Sequence, residues 1–135
     1  MAREVRTVKV TEAEANVFLD KAEQFMESAQ DAMAKGNWDA AAHNAVHCVI
    51  SANDALLGSR HSLRSSGQNH RDAATLLVEK EGTEDARKNA ARFLKIISKK
   101  NLVQYEGRSM SEAEARALMV DATRFFKWSR SRINR

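Results

Sequence analysis

Proline is absent from this chain of 135 residues, and glycine occurs only 5 times. A turn-rich β fold draws heavily on both residues, so their scarcity argues for helices. The single cysteine excludes an internal disulfide and any multi-cysteine zinc site. No apolar run approaches the roughly 18 residues that a membrane span needs. No apolar leader segment opens the chain, which points to the cytoplasm. Aromatics make up only 6% of the residues. Hydrophobic residues at 43% and charged residues at 30% nevertheless suffice for one soluble, well-buried core. The net charge of +4 suits an anionic partner without demanding one.

The order of the residues is more informative. Residues 1–10 read as a short, frayed basic arm, and residues 11–135 as one helical domain. Thr11 with Glu14, and Ser111 with Glu114, have the spacing of capping boxes at two helix starts. Behind Thr11, the apolar residues Ala15, Phe18, Leu19, Ala22, Phe25, Met26, Ala29 and Met33 recur by threes and fours, the period of one helix face. Lys35 and Gly36 close that helix. Asn37 is the expected cap of a second, alanine-rich helix ending at Gly58. Asn69 caps a short third helix ending at Gly82, and Thr83 opens a fourth that runs to Lys100. Residues 101–110 read as a loop before the Ser111 helix. The expected architecture is therefore an all-α, five-helix, up-down bundle made of two long helical hairpins, without sheet. Phe18, Phe25, Leu94 and Phe126 should build its core.

Few residues point to chemistry. His43 and His47 lie one turn apart, with Asp39 one turn earlier, so all three share a helix face. That falls short of a structural zinc set, and no metal or cofactor is expected. Cys48 in the alanine stripe reads as a buried, inert thiol. The segment 58–69 carries Arg60, His61 and Arg64, followed by His70 and Arg71. Free backbone N–H groups at a helix start beside guanidinium groups would make a seat for an anion. The bland alternative is a solvated basic loop. The last helix carries Arg124, Lys127, Arg130, Arg132 and Arg135, and reads as a solvated basic face.

Three stretches resemble the HEPN domain family. They are the alanine-rich helix at 40–58, the segment 67–77 with His70 at a helix start, and the segment 99–108, Lys-Lys-Asn-Leu-Val-Gln-Tyr-Glu-Gly-Arg. The pattern is most similar to stand-alone members of actinobacterial type. The resemblance covers about 14–133 and implies a helical prokaryotic module linked to nucleotide or RNA chemistry, working as a homodimer. Active members of the family cleave RNA without metal, using an Arg and a His separated by a short spacer. Here Lys100 stands at the Arg position, Asn101 at the polar position after it, and Tyr105 at the family's tyrosine. Gln104 replaces the ionisable residue, and no His follows. Lysine supplies charge without a bidentate fork, and glutamine exchanges no proton near neutral pH.

The resemblance therefore implies a non-catalytic module that binds a nucleotide, RNA or a protein partner. The candidate ligand contacts are Arg60, His61, Arg64, His70 and Arg71, read from the charge of the loop and the helix start, with Lys99, Lys100, Asn101 and Tyr105 of the family-like segment. Two alternatives remain open. One is a toxin-like, metal-independent ribonuclease using Arg64 and His70, which have five residues between them. The other is a helical adaptor with no anionic ligand. None of the three readings involves a membrane.

Overall fold

The computed structural model describes residues 4–67 and 69–134. Residues 1–3 of the expected arm, Gln68 of the basic loop and Arg135 lie outside the described residues. Five helices make the fold: α1 (Glu12–Ala34), α2 (Trp38–His61), α3 (His70–Glu81), α4 (Glu84–Glu106) and α5 (Glu112–Ile133). Both capping boxes form. Thr11 Oγ1 accepts from the Glu14 N–H at 3.1 Å while Glu14 Oε1 accepts from the Thr11 N–H at 2.9 Å. Ser111 and Glu114 repeat the arrangement. Asn69 and Thr83 cap α3 and α4 as their chemistry predicts. Asn37 does not: its side chain makes no capping bond, and the chain turns into α2 through Gly36 at φ +73°.

Helix α2 is the axle. It packs against α1 on one side and α5 on another, and α4 joins α3 and α5. Ala41, Ala45, Ala52 and Ala55 are fully buried, and their small side chains let these neighbours approach closely. Leu56, Leu57, Leu77, Phe93, Ile96 and Phe125 fill the centre. Of the four residues expected in the core, Phe126 is buried, and Phe25 and Leu94 pack partly buried against it. Phe18 is outside the core: its ring is half-buried beneath Arg64, whose Cζ lies 5.3 Å from the ring centre.

Three boundaries differ from expectation. The basic arm is not frayed over its described part: β1 (Thr7–Lys9) pairs antiparallel with β2 (Leu63–Ser65), Val8 opposite Arg64, so the bundle carries a small sheet. Helix α2 does not stop at Gly58 but continues to His61, and Ser62 at φ +59° ends it. Helix α4 does not stop at Lys100 but runs on to Glu106, where Gly107 at φ +71° turns the chain.

Gly58 has a packing role instead. A Cβ there would lie 2.6 Å from Val10 Cγ1 and 3.2 Å from Ala15 Cβ, so the absent side chain seats the residue that follows β1. Gly58→Ala is expected to destabilise by about 1–3 kcal/mol through overpacking, despite alanine's better helix propensity. In a double-mutant cycle by chemical denaturation, Val10→Ala should remove most of that cost. Additive losses would contradict the steric account.

Candidate anion site between α2 and α4

Several cations of the basic loop have partners within the fold. Arg60 and His61, in the last turn of α2, converge on Glu81 at the end of α3. Arg60 Nε and His61 Nε2 lie 2.8 and 2.7 Å from Glu81 Oε2, and Arg132 Nε of α5 lies 3.0 Å from Oε1. Burial alone would push the Glu81 carboxyl up. The hydrogen bonds from Arg60, His61 and Arg132 outweigh it and hold the group at about 2. These cations tie three helix ends together and are already matched by a carboxylate.

Arg64 stacks on Phe18 and donates to the Ser65 carbonyl at 3.4 Å, with Glu14 and Asp54 in electrostatic reach. Burial raises the Asp54 carboxyl to about 6, and Arg64 opposes the rise. At the start of α3 the Arg71 and Asp72 N–H groups are not free, because both donate to Asn69 Oδ1. His70 lies edge-on to Phe93 with ring centres 6.4 Å apart, and Arg71 is exposed. The trailing basic helix is partly engaged as well: Arg130 lies 5.0 Å over Phe126, and the Trp128 ring packs 5.9 Å from Phe125.

A different site emerges where α2 faces the end of α4. A cavity of about 430 Å³ is lined by Asp39 and His43 of α2, Lys100 and Gln104 of α4, and Arg108 and Met110 of the following turn. Its far wall is set by hydrogen bonds and ion pairs. The Met110 N–H donates to Asp39 Oδ1 at 2.8 Å. Arg108 grips Glu114 with both guanidinium nitrogens, each at 2.8 Å, and Lys99 adds a 2.9 Å contact. The Arg108 bond, then the Ser111 N–H, hold Glu114 well below the ordinary carboxylate range. Lys99 and Arg108 are therefore each engaged by a carboxylate, Arg108 also by Glu106 at 3.1 Å.

Lys100 is placed otherwise. Its Nζ donates to the neutral Gln104 amide oxygen at 2.9 Å. Around it stand imidazoles. The His43 and His47 rings are 4.5 Å apart, and His47 also packs 5.5 Å from Phe25. Burial lowers the His47 pKa below its ordinary value, and the positive charges of His43, Lys100 and His70 lower it further. Burial likewise lowers that of His70. The fold thus gathers Lys100 and His70 around His47. It leaves Asn101 exposed on the adjoining face of α4 and Tyr105 87% exposed.

The helical repeat of Asp39, His43 and His47 signalled a shared face. Its meeting with Lys100 and Arg108 is non-local and had no signal in the spacing. Asp39 is bonded to the Met110 N–H, and no group of three or more His, Cys, Asp or Glu suited to a metal ion occurs among the described residues. No described helix is long and apolar enough to cross a membrane.

No curated protein matches the chain. The family model of the HEPN domain matches residues 15–132, from the first turns of α1 to the end of α5. Taken with the five-helix bundle and the Lys100–Tyr105 segment at the end of α4, that match means that the chain belongs to the HEPN domain family.

Proposed function

We propose that the chain is a dimerising HEPN module that binds a phosphate-bearing ligand, a nucleotide or RNA, at the cavity between α2 and α4, without efficient cleavage. The carrying observation is Lys100: among the described residues its ammonium donates to an amide and meets no carboxylate, on the wall of a cavity of ligand size. Lysine serves phosphate as a point charge. Gln104 occupies the place where the family's proton-transferring residue would act, and an amide cannot exchange that proton. Dimerisation is supported by Leu102 and Tyr105, which stand 54% and 87% exposed one turn apart beside the cavity, an apolar pair suited to a second copy.

The test is a labelled RNA titrated at low and moderate salt. Binding should weaken with salt, and Lys100→Ala should cost about tenfold or more in affinity. Arg60→Ala should leave affinity unchanged, since that guanidinium is held by Glu81 and does not line the cavity. Absence of binding at low salt would favour the adaptor reading. Rapid cleavage abolished by His70→Ala would favour the ribonuclease reading, which uses Arg64 and His70. A monomer mass in sedimentation equilibrium at micromolar concentration would refute dimerisation.

A further inference from the structure

We infer that His43, His47 and Lys100, with His70 behind them, form a site for a phosphate monoester dianion, the terminal phosphate of a nucleotide or of an RNA end, in preference to an internal phosphodiester. The inference rests on the ligand placement proposed above and narrows it to one chemical class.

The geometry carries it. His43 and His47 on α2 have ring centres 4.5 Å apart, His43 shares a cavity with Lys100 of α4, and His70 at the start of α3 is within electrostatic reach of His47. From α1 the neutral ring of Phe25 packs against His47, with ring centres 5.5 Å apart. Asp39, one turn before His43, is a carboxylate on the same cavity wall, and it is bonded to the Met110 N–H. Burial disfavours the charged form of the His47 imidazole, and the positive charges of His43, Lys100 and His70 add to this. This is why His47 rests below its ordinary protonation range.

An anion entering beside Lys100 reverses the balance and draws a proton onto His47. A diester supplies one negative charge. A monoester supplies about 1.5 to 2 near neutral pH, its second ionisation falling near 6. The ligand with the larger charge gains more from a cluster that can add protons to meet it.

The sign of the pH dependence follows. Each proton taken up on binding tightens the apparent affinity about tenfold per pH unit as pH falls through the histidine range. Below about pH 6 the gain fades, because the monoester itself protonates. Asp39 opposes the ligand, so Asp39→Asn, which keeps the acceptor for the Met110 N–H, should tighten binding severalfold.

The experiment titrates a short labelled oligoribonucleotide, with and without a 5′-phosphate, at about pH 8 and about pH 6.5. The phosphorylated probe is expected to bind about tenfold tighter at the lower pH, and calorimetry in buffers of different ionisation heat should record proton uptake. His43→Gln is exposed and should fold, and it should remove much of both effects; His47→Gln should do the same if circular dichroism shows it folded. Equal affinity for the two probes, or affinity independent of pH, would overturn the dianion site. If Lys100→Gln still weakened both probes, the general phosphate reading would survive. Absence of binding by either probe at low salt would refute both.

Discussion

Replacing Glu81 with glutamine is expected to destabilise the protein by about 3 kcal/mol, measured by chemical denaturation at neutral pH. The Glu81 side chain is fully enclosed, while Arg60, His61 and Arg132 retain 18%, 22% and 32% exposure. Removing the carboxylate strands two guanidinium groups with no counter-charge at the meeting point of α2, α3 and α5. Their residual contact with water keeps the loss at the lower end of the range for broken buried pairs. The pH dependence should identify the cause. The folded-state pKa of Glu81 is depressed to about 2, below its ordinary 4.5. Its contribution is therefore complete above the ordinary value and is lost as pH falls from about 4.5 through about 2. Glu81→Gln should lack that component of acid destabilisation. A variant as stable as the parent would mean that the cluster is decorative.

Phe93→Ala should cost about 3–5 kcal/mol. Phe93 is fully buried in α4, its ring 5.5 Å from Phe125 in α5, within a close-packed core. The same ring supports the edge of His70. Phe93→Leu, which keeps most of the volume, should recover more than half of the stability. A loss below about 1 kcal/mol for Phe93→Ala would mean that the core closes over the cavity.

The parts of this fold that were legible in the sequence are those decided within four residues. The boxes at Thr11–Glu14 and Ser111–Glu114, the caps at Asn69 and Thr83, and the stop at Gly82 are local chemistry, and the structure has each one. Gly58 has the composition of a helix stop, but Val10 approaches it from a segment 48 residues earlier, and no local rule contains that fact. Past Lys100, Val103 is the only buried residue before the end of α4, too sparse a pattern to separate helix from loop. Pairing β1 with β2 needs only three residues on each side, below what alternation can signal.

The site followed the same division. Lys100, Asn101 and Tyr105 stood out because they are contiguous in a family-like segment. The loop cations stood out by composition alone, and the fold commits Arg60 and His61 to Glu81 and stacks Arg64 on Phe18. Which cation is free is decided by which carboxylate folding brings to it.

The lone thiol gives the molecule a property of its own. Cys48 is fully buried in the middle of α2, and burial pushes its thiol up to about 12. Only a thiolate reacts with alkylating agents at a useful rate. Labelling of the intact bundle must therefore wait until α2 parts from α1 or α5. The rate at which label appears on this one sulfur is a clock for the opening of the axle helix, set in the native chain without an introduced probe.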